Sequence, residues 1–175
     1  MKVIEESLGL VSELTMEVRT ISLLLHPPLL DEVGLSSALR LYLDGFSERS
    51  KIKVDLDIPD DFGRLSQELE TAIFRIVQES VTNIHRHSES AVARIRISRS
   101  GRDVRLEVED KGKGISLEKR SEMESTGLAG VGIRGMRERI RQLGGTLEIR
   151  SGRNAIGTLI LARLPIGKTV STAMA

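Results

Sequence analysis

Between Val3 and Leu25, apolar side chains return every three or four positions. Ile4, Leu8, Val11, Val18 and Leu25 form the stripe, and Leu14, Ile21 and Leu24 widen it. That period predicts one long amphipathic helix. Val3 enters the stripe with no Ser, Asp or Asn cap before it, so the helix is expected to continue upstream. His26-Pro27-Pro28 ends it, because a residue before proline is pushed out of the α region. So long a lone amphipathic helix needs a partner; membership of a helical bundle fits better than a plain surface helix. A second helix follows at Leu35 to Phe46, with Ala38, Leu39, Tyr42, Leu43 and Phe46 on one face. The period then drops to two: Ile52, Val54, Leu56 and Ile58 predict a half-buried strand that Pro59 stops. From Ser66 to about His87 the helical period returns, with Leu69, Ile73, Ile76, Val77, Ser80 and Ile84 inward.

Two further alternating runs, Ala93-Ile95-Ile97 and Val104-Leu106-Val108, flank Ser100-Gly101 and predict a hairpin. A glycine-rich polar stretch spans Lys111 to Gly135. The helix after it carries Met136, Ile140 and Leu143, and Gly144-Gly145 stops it. Short strands are expected around Leu147-Ile149 and Thr158-Leu164, joined by a turn through Gly152 to Gly157, and the small polar tail from Gly167 to Ala175 is expected to be disordered. The order of elements predicts an α/β fold, a two-layer sandwich with helices on one face of a mixed sheet, plus the long N-terminal helix. The expected division is 1–26 for that helix, 27–34 for a hinge, 35–166 for the main domain and 167–175 for the tail.

Composition narrows the function classes. Aromatic residues are only 2% of the chain, so the core rests on Leu, Ile and Val, and there is no set of aromatics on which bases could stack. A net charge of +1 gives no overall field toward nucleic acid or anionic lipid, so neither partner is expected. The absence of cysteine excludes disulfides and thiolate metal sites and fits a reducing compartment. No apolar run reaches the roughly 20 residues of a membrane helix. No membrane contact and a cytoplasmic location are the expectations for this chain, although a parent protein could be membrane-anchored.

Four motifs carry candidate chemistry. In Gln78-Glu79-Ser80-Val81-Thr82-Asn83-Ile84-His85-Arg86-His87, Glu79, Asn83 and His87 are each four apart and share a helical face. A carboxylate and an amide oxygen side by side can hold Mg²⁺, which wants hard oxygen ligands, and Arg86 or His87 could neutralise a phosphate. A solvated polar face is the plain alternative. Next, Asp110-Lys111-Gly112-Lys113-Gly114 ends a strand. Gly112 and Gly114 allow close approach of a ligand, and a strand-end carboxylate can accept from an exocyclic amine such as that of adenine; a simple Asp-x-Gly turn is the alternative. Third, Gly127-Leu-Ala-Gly130-Val131-Gly132-Ile133-Arg-Gly135-Met136 runs into a helix whose free N–H groups suit phosphates. No Gly-Lys-Ser/Thr follows, so it is not a Walker loop, and it lacks the βαβ setting of a Rossmann fingerprint. Last, Gly157-Thr158 opens the final strand, where a hydroxyl could reach a water bound to adenine.

Taken in this order, the motifs resemble those of the GHKL ATPase/kinase superfamily. The nearest likeness is to histidine kinases that act on response regulators of the NarL/LuxR type (the HisKA_3 group). Glu79-Ser-Val-Thr-Asn83 with His-Arg-His looks like that family's N box. Asp110-Lys-Gly112-Lys-Gly114 looks like the first glycine box, and Gly130-Val-Gly132-Ile-Arg-Gly135-Met-Arg-Glu-Arg-Ile like the second. Leu25-His26-Pro27-Pro28-Leu-Leu-Asp31 resembles the link between a dimerisation helix and a catalytic domain. The resemblance implies a Bergerat-type fold with ATP under a lid at about Ile115 to Ala129. Adenine would meet Asp110, and Mg²⁺ would meet Asn83 and Glu79. The triphosphate would meet Gly130, Val131, Gly132 and Ile133, with His87, Gly112, Gly114 and Thr158 lining the nucleotide site. Glu79 and Asn83 would be the catalytic pair. The implied activity is transfer of the γ-phosphate of Mg-ATP to a histidine on an upstream helix, for relay to a response-regulator aspartate, in a homodimeric parent. No acceptor histidine with an acidic neighbour occurs in this chain. The alternatives are an anti-sigma-factor-type serine kinase or a non-catalytic nucleotide-binding module. The long first helix and its Leu-His-Pro-Pro link argue against the former; Glu79, Asn83 and Asp110 argue against the latter.

Overall fold

The computed structural model describes residues 28–115, 131–151 and 156–167. The expected first helix, the lid beyond Ile115, Gly130 and the tail from residue 168 lie outside them. Helix α1 (Pro28–Ser50) packs beside α2 (Gln67–Asn83), with strand β1 (Lys53–Asp57) between them in the chain. A π-helical turn (Ile84–Ser88) leads to the hairpin β2 (Val92–Ser100) and β3 (Asp103–Asp110). Helix α3 (Val131–Gln142) precedes β4 (Thr146–Ser151) and β5 (Thr158–Pro165).

The five strands lie in the order β1-β2-β3-β5-β4; β1 is parallel to β2 and the other pairs are antiparallel. Alternation decides which side meets the helices. Ile95 and Ile97 of β2, Leu106 and Val108 of β3, and Ile160 and Ala162 of β5 are buried in one cluster with α1, α2 and α3. The intervening residues face solvent and form cross-strand ion pairs, Arg94–Asp55 at 3.1 Å and Arg96–Asp57 at 2.8 Å. The expected two-layer arrangement with a mixed sheet is the one observed. The three helices fill the gap left by scarce aromatics with Leu and Ile, around Phe74 and its neighbour Tyr42 at 5.5 Å between ring centres.

Three boundaries differ from the sequence reading. Helical structure begins at Pro28, where proline's missing N–H costs nothing, and breaks at Gly34 (φ 77°, ψ 171°). The Arg64 stem fills the space there: a Cβ on Gly34 would lie 3.2 Å from Arg64 Cδ. The helix of residues 66–87 ends its α-form at Asn83 and finishes in the wider turn. Helix α3 starts at Val131, so Gly132 and Gly135 belong to its first turns instead of the loop before it.

Candidate nucleotide site

Ser66 caps α2, its hydroxyl accepting from the Leu69 N–H at 3.4 Å. One line of the helix is then committed to the core, through Leu69, Ile73, Ile76, Val77, Ser80 and Ile84. The adjacent line carries Glu79 and Asn83, both half-buried. Asn83 Nδ2 donates to Glu79 Oε1 at 3.0 Å. Since a carboxylate only accepts, this bond uses the amide nitrogen and leaves Asn83 Oδ1 as the oxygen available to a cation. Among the described residues no group of three His, Cys, Asp or Glu could hold a metal by itself. An ion here would take its remaining ligands from water and a bound phosphate, as Mg²⁺ commonly does.

Past Asn83 the π-helical turn carries His85, Arg86 and His87, all exposed. Turns of this width break helical register and recur at functional sites. This one swings Ser88 inward. Its hydroxyl donates to the Ile84 carbonyl at 2.9 Å and accepts from the Ser90 N–H at 3.0 Å. Its carbonyl accepts from the Lys113 N–H at 2.8 Å, while Ser90 Oγ accepts from the Lys111 N–H at 3.2 Å. The Asp110–Gly114 loop is thereby pinned to the end of α2. On the surface Lys113 pairs with Glu89 at 2.7 Å, and that hydrogen bond, with the lysine charge, holds the Glu89 carboxyl below its ordinary range.

Asp110 closes β3 on the sheet's inner face, in line with Leu106 and Val108, and is 3% exposed. Its Oδ1 accepts from the Gly112 N–H at 2.7 Å, so the Asp-x-Gly turn is real and engages one of two carboxylate oxygens. Gly112 lies against Ser88, whose carbonyl a Cβ would overlap. Gly157 (φ 71°) lies in the same way on the carbonyl of Asp110. Gly114 and Thr158 are half-buried beside them. Across the helix layer, Gly132 in the first turn of α3 touches the Glu79 carboxylate, and a Cβ there would overlap Oε1. Val131 opens that helix, and Ile133 packs on the core. Ser80 donates its hydroxyl to the Ile76 carbonyl at 2.6 Å, and Met136 Sδ packs 3.9 Å from that oxygen, where α3 meets α2.

The residues named from sequence therefore fall into two neighbouring groups. One is Asp110, Gly112, Gly114 and Thr158 at the sheet end; the other is Glu79, Asn83 and Gly132 between α2 and α3. His87 stays exposed on the turn that joins them, and Gly130 is outside the described residues. Ser88 and Ser90 were missed. Their signal was a pair of small hydroxyls spaced by one residue after a helix end, which reads as an ordinary loop until the loop beyond Asp110 is laid over it.

Residues 68–168 match the family model of histidine kinase-, DNA gyrase B- and HSP90-like ATPases, HATPase_c. The chain belongs to this family. Its HATPase_c region begins on α2 and includes both groups of residues. Among curated proteins the chain is similar to the oxygen sensor histidine kinase NreB of Staphylococcus carnosus (strain TM300), 31% identical over 158 residues, which is 90% of this chain and 44% of that protein. It thus spans less than half the length of that relative. Among solved structures it resembles the histidine kinase domain of the Erythrobacter litoralis EL346 blue-light activated histidine kinase. There the TM-score is 0.63 and the identity 26%, covering 75% of this chain and 61% of that one. The Acinetobacter baumannii histidine kinase AdeS shares the fold at 16% identity, with a TM-score of 0.57 over 95% of this chain and 84% of that one. The chain thus carries a HATPase_c ATPase domain, and the relatives it resembles are sensor histidine kinases.

Proposed function

We propose that the domain binds Mg-ATP with its adenine at Asp110 and its phosphates at the start of α3. It would then pass the γ-phosphoryl group to a histidine on an upstream dimerisation helix. A NarL/LuxR-type response regulator would receive the group on an aspartate. A homodimeric parent and a cytoplasmic location for this domain belong to the same reading. Among the described residues no helix is long and apolar enough to cross a membrane.

The observation that carries the reading is the meeting of Glu79, Asn83 and Gly132. A carboxylate and an amide, bonded to each other, stand against the first turn of a helix, and the N–H groups of a helix start suit an anion. Asn83 Oδ1 is the ligand offered to Mg²⁺, which when bound neutralises phosphate charge. Gly132, lacking a side chain, lets the Glu79 carboxylate lie against the first turn of α3. In the transfer an imidazole nitrogen attacks the γ-phosphorus, the bond to the β–γ bridging oxygen breaks, and ADP leaves. Glu79 is the carboxylate placed to orient the attacking ring and take its proton. The chain's main contribution is positioning, which dominates phosphoryl transfer.

At the other end, Asp110 holds its loop through one oxygen and offers the second to the adenine amine. Asp110→Asn keeps the turn acceptor but can present N–H₂ where an acceptor is needed. We expect it to weaken Mg-ATP binding about tenfold to a hundredfold by calorimetry, the worth of about one or two charge-assisted hydrogen bonds. Wild-type affinity in that variant removes Asp110 from the adenine site. With γ-labelled ATP the chain alone should stay unlabelled, while an added histidine-bearing helical domain of its parent should become labelled. Labelling of no acceptor at all defeats the kinase reading, and labelling of His26, His85 or His87 in the chain alone defeats the assignment of the acceptor to an upstream helix.

A further inference from the structure

Residues 28–33 and the remainder of α1 are two helical pieces joined at Gly34. Its φ of 77° and ψ of 171° lie in a region open essentially to glycine alone. A single non-helical residue between two helical pieces is the form a pivot takes. Of residues 30–33, only Leu30 is buried; Asp31, Glu32 and Val33 are exposed.

Arg64 holds this turn in place. Its two terminal nitrogens donate to the carbonyls of Asp31 and Leu30, and its Nε donates to Glu70. Gln67 Nε2 adds one exposed bond to Asp31 Oδ2 at 2.9 Å. The base of Arg64 is anchored separately. Its carbonyl accepts from Arg99 Nη2 of β2 at 2.8 Å, and the Arg99 guanidinium lies 5.1 Å from the centre of the Phe62 ring. The tip has no such anchor, since the Arg64 side chain is 54% exposed. Water can compete for its donors while the core stays shut. The closed arrangement also works against itself. Glu70 is fully buried, and its Oε2 has no hydrogen-bond partner among the described residues. A buried carboxylate oxygen without a donor disfavours the form that buries it.

We infer that residues 28–33 form a strap that pivots at Gly34, with Arg64 as its catch. Caught, the strap fixes the direction in which the chain enters the domain at Pro28. Released, it admits water to Glu70 and lets the preceding chain turn. Helix α2 stays seated, because it has its own cap at Ser66 and its own buried line through Ile73, Ile76 and Val77. The joint therefore decides whether movement upstream is passed to the helix that carries Glu79 and Asn83 or is absorbed at Gly34. This inference rests on the geometry of the joint alone and does not depend on the proposed phosphoryl transfer.

The chain has no cysteine, so a single introduced thiol reports local opening without background. Leu30→Cys places that thiol under the strap, and Val77→Cys places a control on the buried face of α2. N-ethylmaleimide should modify the first at least about tenfold faster than the second, since a strap opens more often than the whole domain. The catch is removed by Arg64→Gln combined with Glu70→Gln, a pair that leaves no buried charge behind. In that background the Leu30→Cys thiol should react about tenfold faster again, with the Val77→Cys rate changed far less. Arg64→Lys, which keeps the charge but lacks the planar fork, should fall between. Hydrogen exchange at the amides of residues 31–35, in the chain without cysteine, should follow the same order and guards against loosening by the Leu30→Cys change itself. Equal rates for the two thiols, with equal exchange in the two segments, would show that the turn opens only with the domain and would overturn the strap. An unchanged Leu30→Cys rate without the catch would show that the seat of Leu30, and not Arg64, closes it.

Discussion

Arg64 illustrates how much one side chain can organise. Its Nε donates to Glu70 Oε1 at 3.0 Å, and its two terminal nitrogens reach the carbonyls of Asp31 and Leu30 at 3.2 Å each. Those carbonyls belong to the helical turn that Gly34 interrupts, and such turn-end oxygens need outside donors. Glu70 is fully buried, also accepts from the Leu65 N–H at 2.9 Å, and keeps one carboxylate oxygen without a partner. Removing the arginine would strand that carboxylate. We expect Arg64→Ala to cost about 3 kcal/mol, the low end for breaking a buried pair because Arg64 itself is half-exposed. Urea denaturation would measure it, and Glu70→Gln in the Arg64→Ala background should recover part of the loss. No gain from the second change would mean that the buried charge is not the source. None of this was legible in the sequence, because the burial of Glu70 and the partners of Arg64 depend on a turn more than 30 residues upstream.

At the level of elements, legibility followed periodicity. The alternation of Ala93, Ile95 and Ile97 against Val104, Leu106 and Val108 foretold β2 and β3, and the structure turns between them at Gly101 (φ 61°). The line Leu69–Ile73–Ile76–Val77 foretold the buried face of α2. Glycines misled at α3, where low helix propensity at Gly132 and Gly135 hid two turns that are held by packing on Glu79 and Ser80. The π-helical turn had no periodic signature, since its register is set by Ser88 bonding backward and forward. Ser88→Ala should therefore act beyond its size. It removes the bond to the Ile84 carbonyl and leaves the Ser90 N–H without its acceptor, a loss of about 2 kcal/mol. Mg-ATP affinity should fall with it, because the same turn anchors the Asp110–Gly114 loop. Thermal unfolding with and without nucleotide checks both effects; an unchanged melting temperature would show that the turn holds itself without the hydroxyl.

Across the whole molecule, the sheet separates two kinds of stabilisation. Its inner face is part of the common apolar core, and its outer face is a charged lattice in water. Neighbouring residues on one strand should thus differ sharply. Ile97→Ala, fully buried, should cost about 3 kcal/mol through lost burial and the cavity left behind. Arg96→Ala, despite pairing with both Asp57 and Glu107, should cost far less, and less still at high salt. Equal losses in chemical denaturation would mean that the charged lattice contributes cooperatively.

The parallel pairing of β1 with β2 has a consequence for the nucleotide site. Parallel neighbours need a crossover, and here the crossover is α2, the helix that carries Glu79 and Asn83. Lys53 pairs with Val92 across that crossover, so the site rests on a long-range closure of the chain. By mass action, a nucleotide that recognises only the closed form then stabilises every residue on which closure depends. At a hundredfold excess over its dissociation constant that is about 2.7 kcal/mol, so the cellular nucleotide level would also set how often the sheet opens.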